Sequence, residues 1–152
     1  MRISFGTFSM EAPEGWSLSS IIMSGPIDEA IKLGPTTARQ VPGFQRNLIT
    51  TFEEVGEGVT NEAYVDRQIE GLRQAGVPRQ EGAKPLKIKL GSGADGLLTE
   101  QVIQGATGER VRQMQLVFIK DGIAHTAIAS HLDGAPFESA RAEFRRLLES
   151  FQ

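Results

Sequence analysis

The pair Asp121-Gly122 does more than any other feature to limit how this chain can fold. A two-residue hairpin of type I′ needs positive φ at both central positions, and Asp-Gly supplies that at little steric cost. On either side lie Arg110 to Ile119 and Ile123 to His131, two stretches rich in β-branched and aromatic residues. They are predicted to pair antiparallel. Pro85 to Leu90 and Leu97 to Gln104 read as further strands, separated by Gly91-Ser-Gly93 and by Gly105-Ala-Thr-Gly108. The second half is therefore expected to be a four-stranded meander.

Two helices accompany it. From Thr60 to Gly76, Tyr64, Val65, Ile69, Leu72 and Ala75 fall on one stripe at helical spacing, with Thr60 or Asn61 placed to cap and Gly76 followed by Pro78 to stop. Gly71 inside that helix costs about 1 kcal/mol against alanine, which points to a close backbone contact. From Pro136 to Phe151, the residues Phe137, Ala140, Phe144, Leu147, Leu148 and Phe151 form a second stripe. Upstream, Ile3 to Ala12 reads as a hairpin opening that ends at Pro13-Glu14-Gly15, ahead of the single Trp16. Ser19 to Met23 is a short strand, and Gln45 to Val55 a longer one. Between them Pro26, Pro35 and Pro42 interrupt a connection in which Ile27, Ala30 and Ile31 permit about two helical turns, a segment long enough to act as a lid or partner contact. At 152 residues, 1–152 forms one α+β domain, an antiparallel sheet of hairpin plus meander packed with two main helices.

Several chemistries are set aside by the sequence. With no cysteine, the chain has neither disulfides nor thiolate catalysis nor Cys-ligated metal, which fits a reducing compartment. A net charge of −3 with only Arg145 and Arg146 adjacent does not suit nucleic acid. The opening Met-Arg-Ile-Ser-Phe-Gly lacks the apolar run of an export signal, and no stretch of about 18 apolar residues exists, so a cytoplasmic location without stable membrane insertion is expected. Glu53, Glu54 and Glu57 lack the alternating spacing of a calcium loop, so no metal and no cofactor is expected. Gly91-Ser-Gly93-Ala-Asp-Gly96 matches a dinucleotide fingerprint, yet a strand rather than a helix follows it. His125 and His131 share a strand face nearly 20 Å apart at about 3.3 Å per residue, too far to act together. His131-Leu-Asp133 has no Gly-x-Ser-x-Gly elbow to complete a triad, and no enzyme activity is expected.

Leu116, Val117, Phe118 and Ile119 are apolar at both parities, as are Ile21 to Met23 and Leu48-Ile49. Such strands need cover on both faces. Two helices on one face would leave the other open for a partner; alternatively, the helices and the Gly25 to Gly43 segment enclose the sheet completely.

The order of these elements resembles the PsbP-like fold, and within it the DcrB-related domains. The resemblance rests on Phe8-Ser-Met-Glu-Ala-Pro-Glu-Gly-Trp16, Ala63-Tyr-Val-Asp-Arg-Gln-Ile-Glu70, Val117-Phe-Ile-Lys-Asp-Gly122 and Phe144-Arg-Arg-Leu-Leu-Glu-Ser-Phe151. Tyr64-Val-Asp-Arg-Gln68 and Val117-Phe-Ile119 look most like the Eag chaperones of type VI secretion, although Gln115-Leu116 stands where that pattern has Arg-Gln. The resemblance implies a cytoplasmic, homodimeric adaptor that binds the apolar N-terminal helices of a secreted effector. Its groove would be lined by Ile21, Met23, Leu48, Thr50 and Val117. A small-molecule or lipid-binding module using the same groove is the alternative.

Overall fold

A computed structural model describes residues 2–5, 8–15, 20–27, 31–32, 40–41, 45–105 and 108–152. In chain order the elements are β1 (Arg2–Phe5), β2 (Phe8–Glu11), β3 (Ser20–Ile27), β4 (Ile31–Lys32), β5 (Gln40–Val41), β6 (Gln45–Glu54) and α1 (Asn61–Gln74). They continue with β7 (Arg79–Glu81), β8 (Leu86–Lys89), β9 (Asp95–Gln104), β10 (Arg110–Lys120), β11 (Ile123–Leu132) and α2 (Ala135–Glu149). The main sheet is antiparallel in the order β3-β6-β11-β10-β9, with β7 and β8 end to end along the outer edge of β9. β1 with β2, and β4 with β5, form separate two-stranded ladders.

The meander follows the expected pairings. Asp121 and Gly122 turn with φ of 52° and 73°, the left-handed geometry that a type I′ hairpin demands. The ladder then aligns Leu116 with Ala127 and Val117 with Thr126.

Alternation along β10 explains its unbroken apolar run. Leu116 and Phe118 join Phe137, Ala140, Phe144 and Leu148 of α2 in one core, together with Leu48, Leu98, Met114, Ala127 and Ala129. Val117 joins Tyr64 and Val65 of α1 in a second core, with Leu97 and Ala124. The helices thus lie on opposite faces of the sheet, and β10 is covered twice. Each large side chain buried this way contributes about 1.5–3 kcal/mol.

Thr60 caps α1, its hydroxyl accepting from the Ala63 N–H at 3.1 Å, and Gly76 follows the helix with φ of 68°. Proline sits in the first turn of α2, where its missing N–H leaves no hydrogen bond unmade.

Three local expectations need correction. Gly71 is exposed, and a Cβ built on it would meet nothing within 4 Å, so no close backbone contact explains it. Ile27 ends β3 and Ile31–Lys32 pair with Gln40–Val41, so the two helical turns anchored on Ile27 and Ile31 do not form; Ala30 lies outside the described residues, as do Trp16 and most of the Gly25 to Gly43 segment expected to act as a lid, partner contact or cover for the sheet. β7 is an additional strand. Its residues Arg79, Gln80 and Glu81 carry no apolar pattern, and backbone pairing to the free edge of β9 creates it.

Candidate functional site

α2 packs chiefly on β11 and β10, and reaches β6 through Leu48 and the Arg46–Glu143 ion pair. The register places Met23 beside Leu48 beside Ala129, and Ile21 beside Thr50 beside Ala127. Ile21, Met23, Leu48 and Thr50 therefore share the α2 face of the sheet. Leu48 is packed into the α2 core, at 4% exposure, and is closed to a partner, whereas Ile21 and Met23 remain 49% and 47% exposed. Phe52, on the same parity of β6, is 44% exposed and extends the apolar strip. Sequence reasoning missed Phe52, although its two-residue spacing from Thr50 puts it on that face.

Val117 does not join these residues. It is fully buried on the opposite face beneath α1, because its parity on β10 is that of Leu97 and Ala124. Leu116 and Phe118, its neighbours in sequence, occupy the α2 side.

The strip runs beside α2 as a shallow trough. At one end Arg46 of β6 reaches Glu143 of α2 at 3.3 Å. Leu147, one turn beyond Glu143 and 38% exposed, continues that wall. At the other end Ser20, Ile21, Thr50, Phe52, His125 and Phe151 enclose a hollow of about 110 Å³. From Arg46 to Phe52 the strand covers about 20 Å, the length of nearly four helical turns. Aromatic contacts hold the far end: His125 stacks on Phe118 with ring centroids 4.7 Å apart, and Phe151 lies 5.9 Å from Phe118. Burial, helped by the charge of Lys120, holds the His125 imidazolium below its ordinary pKa.

The other face has a different chemistry. Arg79 donates to Gln101 at 3.0 Å, Gln101 to Gln113 at 2.9 Å and Gln113 to the Ser130 hydroxyl at 3.3 Å. Gln115 donates to Gln68 of α1 at 2.6 Å, which in turn donates to Thr126 at 3.3 Å. Gln101 and Gln115 are buried with their amides hydrogen-bonded, and the Gln115–Gln68–Thr126 bonds tie α1 to the sheet. Burial and the neighbouring Glu53 push the Tyr64 phenol up, and it stays neutral there.

The remaining chemical candidates separate in space. His131 is 1% exposed, and its Nδ1 accepts from the Leu132 N–H at 2.8 Å. Burial raises the Asp133 carboxyl, but hydrogen bonds from Arg112 at 2.7 Å and Arg110 at 3.1 Å outweigh it and hold the group below the ordinary range. That carboxylate is occupied by arginine. Gly91 to Gly96 leads straight into β9, without the helix a pyrophosphate site requires. Among the described residues no three His, Asp or Glu side chains converge as metal ligands, and no helix is long and apolar enough to cross a membrane.

No family model and no curated protein sequence matches the chain. Solved structures do. PA94 from Pseudomonas aeruginosa, a protein of unknown function, superposes with a TM-score of 0.68 at 14% identity, over 100% of this chain and 95% of its own. The cyanobacterial PsbP protein CyanoP from Synechocystis sp. PCC 6803 superposes with a TM-score of 0.56 at 12% identity, over 94% of this chain and 97% of its own. At these identities the likeness is one of fold: this chain has a PsbP-like fold, an antiparallel sheet with one helix on each face.

Proposed function

We propose that this protein is a non-catalytic, cytoplasmic adaptor of the DcrB-related, Eag-like kind, which shields the apolar N-terminal helices of a secreted effector of type VI secretion. The observation that carries this reading is the half-exposed strip of Ile21, Met23 and Phe52 beside α2, next to central strands whose Leu116, Val117, Phe118 and Leu132 are buried. Apolar helices in water need an apolar groove, and anchors at helical spacing can seat in such a strip. An open trough suits a helix better than a small molecule, which needs enclosure on most sides. A client in the trough leaves Ile22 uncovered, because it points to the opposite face and is 68% exposed. A homodimer, the second part of this proposal, gives that residue a partner.

Ile21→Asp and Met23→Asp test the reading. Both side chains are half-exposed, so each variant is expected to keep its circular dichroism and melting temperature near those of the parent. Captured from native cytosol, the parent is expected to retain one large protein through that protein's apolar N-terminal segment, and each variant to lose it. Retention by both variants, or a parent that captures no such protein, overturns the proposal.

A further inference from the structure

α2 has a second flank, facing β8 and β9, and it borders a cavity unrelated to the trough. β8 leaves the β9 edge at Leu86, and the Gly82 N–H donates to the Glu100 carbonyl at 3.0 Å. Residues 82–85 bow outward between these two anchors. The space between that bow and α2 is about 540 Å³, within the range of about 300–1,000 Å³ typical of small-ligand sites. Leu86, Leu98 and Met114 give it an apolar floor, and Leu86 is left 48% exposed there.

The charges around this cavity are not equivalent. Arg141 is bound by both Glu100 and Glu138, and Arg145 by Glu149, so those guanidiniums are already neutralised. Lys84 also lines the cavity, is exposed, and has no acidic partner among the described residues. Among the described residues lining the cavity, Lys84 is the cation left free above an apolar floor, which is complementary to an amphiphile with a single negative head.

We propose that this cavity binds a single-chain carboxylate amphiphile, with its chain on Leu86, Leu98 and Met114 and its head group on Lys84. The site is independent of the trough, since Ile21 and Met23 lie on the other side of α2. Dodecanoate, with dodecanol as the neutral control, is the probe for titration calorimetry on the full chain. Dodecanoate is expected to bind at one site, and at least about tenfold more tightly than dodecanol, the effect of one charge-assisted contact. Lys84→Glu is expected to remove that preference, and Leu86→Asp to weaken both probes, while Ile21→Asp leaves both unchanged. Absence of dodecanoate binding overturns the proposal. So does binding that survives Leu86→Asp, or that is lost in Ile21→Asp, because the ligand would then occupy the trough. An unchanged preference in Lys84→Glu overturns the assignment of the head group.

Discussion

His125 is where a single protonation reaches furthest into the candidate site. Its ring lies flat against Phe118, at an interplanar angle of 10°, with Phe52 6.2 Å away, so a proton there places charge beneath the apolar strip. Because its folded pKa is lowered by burial, the unfolded chain binds the proton more readily. The stability it contributes is complete above the unfolded value of about 6.5 and is lost as pH falls through the lower, folded value. Glu138, lowered by Arg141, and Asp133 lose their contributions in the more acidic carboxylate range, so the histidine window stands apart. Urea midpoints of the parent are expected to fall between pH 7 and 5, and those of His125→Phe to fall less. Parallel profiles would show that His125 titrates equally in both states. The sequence could say that His125 and His131 share a face, but not that only His125 borders the trough. That distinction depends on where the chain runs after α2, with Phe151 against Phe118.

Elements were legible wherever one residue pattern had one structural cause. The Asp121-Gly122 turn, the stripes of α1 and α2 and the strands of the meander all follow from local chemistry. β7 was hidden because three polar residues are recruited by a neighbour's free edge. Gly71 was misread for a related reason: a glycine in a helix signals a cost, and only the surroundings reveal whether a contact repays it. Since its surroundings are open and α1 continues through it with φ outside the left-handed region, alanine is tolerated. Gly71→Ala is expected to stabilise the protein by about 0.5–1 kcal/mol, read from the urea midpoint at unchanged m-value. A loss of stability would mean that the α1 backbone is held closer to a neighbour than its open surface implies.

Coverage of the sheet decides the character of the whole molecule. The alternating parities of β10 were visible in Leu116 to Ile119, and both ways of covering them were open on sequence alone. Placing one helix on each face satisfies β10 completely, and for that reason Val117 belongs to the core while Ile21 and Met23 stay exposed. Protection therefore grades across the sheet. β10 lies between two packed layers and two hydrogen-bonded neighbours, whereas β3, among the described residues, is an edge strand paired only with β6. By native-state hydrogen exchange, the amides of Leu116 to Phe118 are expected to exchange only through global unfolding. Those of β3 that bond to β6 should exchange at least about a hundredfold faster through local opening. An apolar helix seated in the trough touches β3 and β6 but not the β10 amides beneath α2, so its binding should slow the β3 amides selectively. Equal protection of β3 and β10 in the free protein would mean that β3 is already covered, and a trough with no free floor has no room for a client.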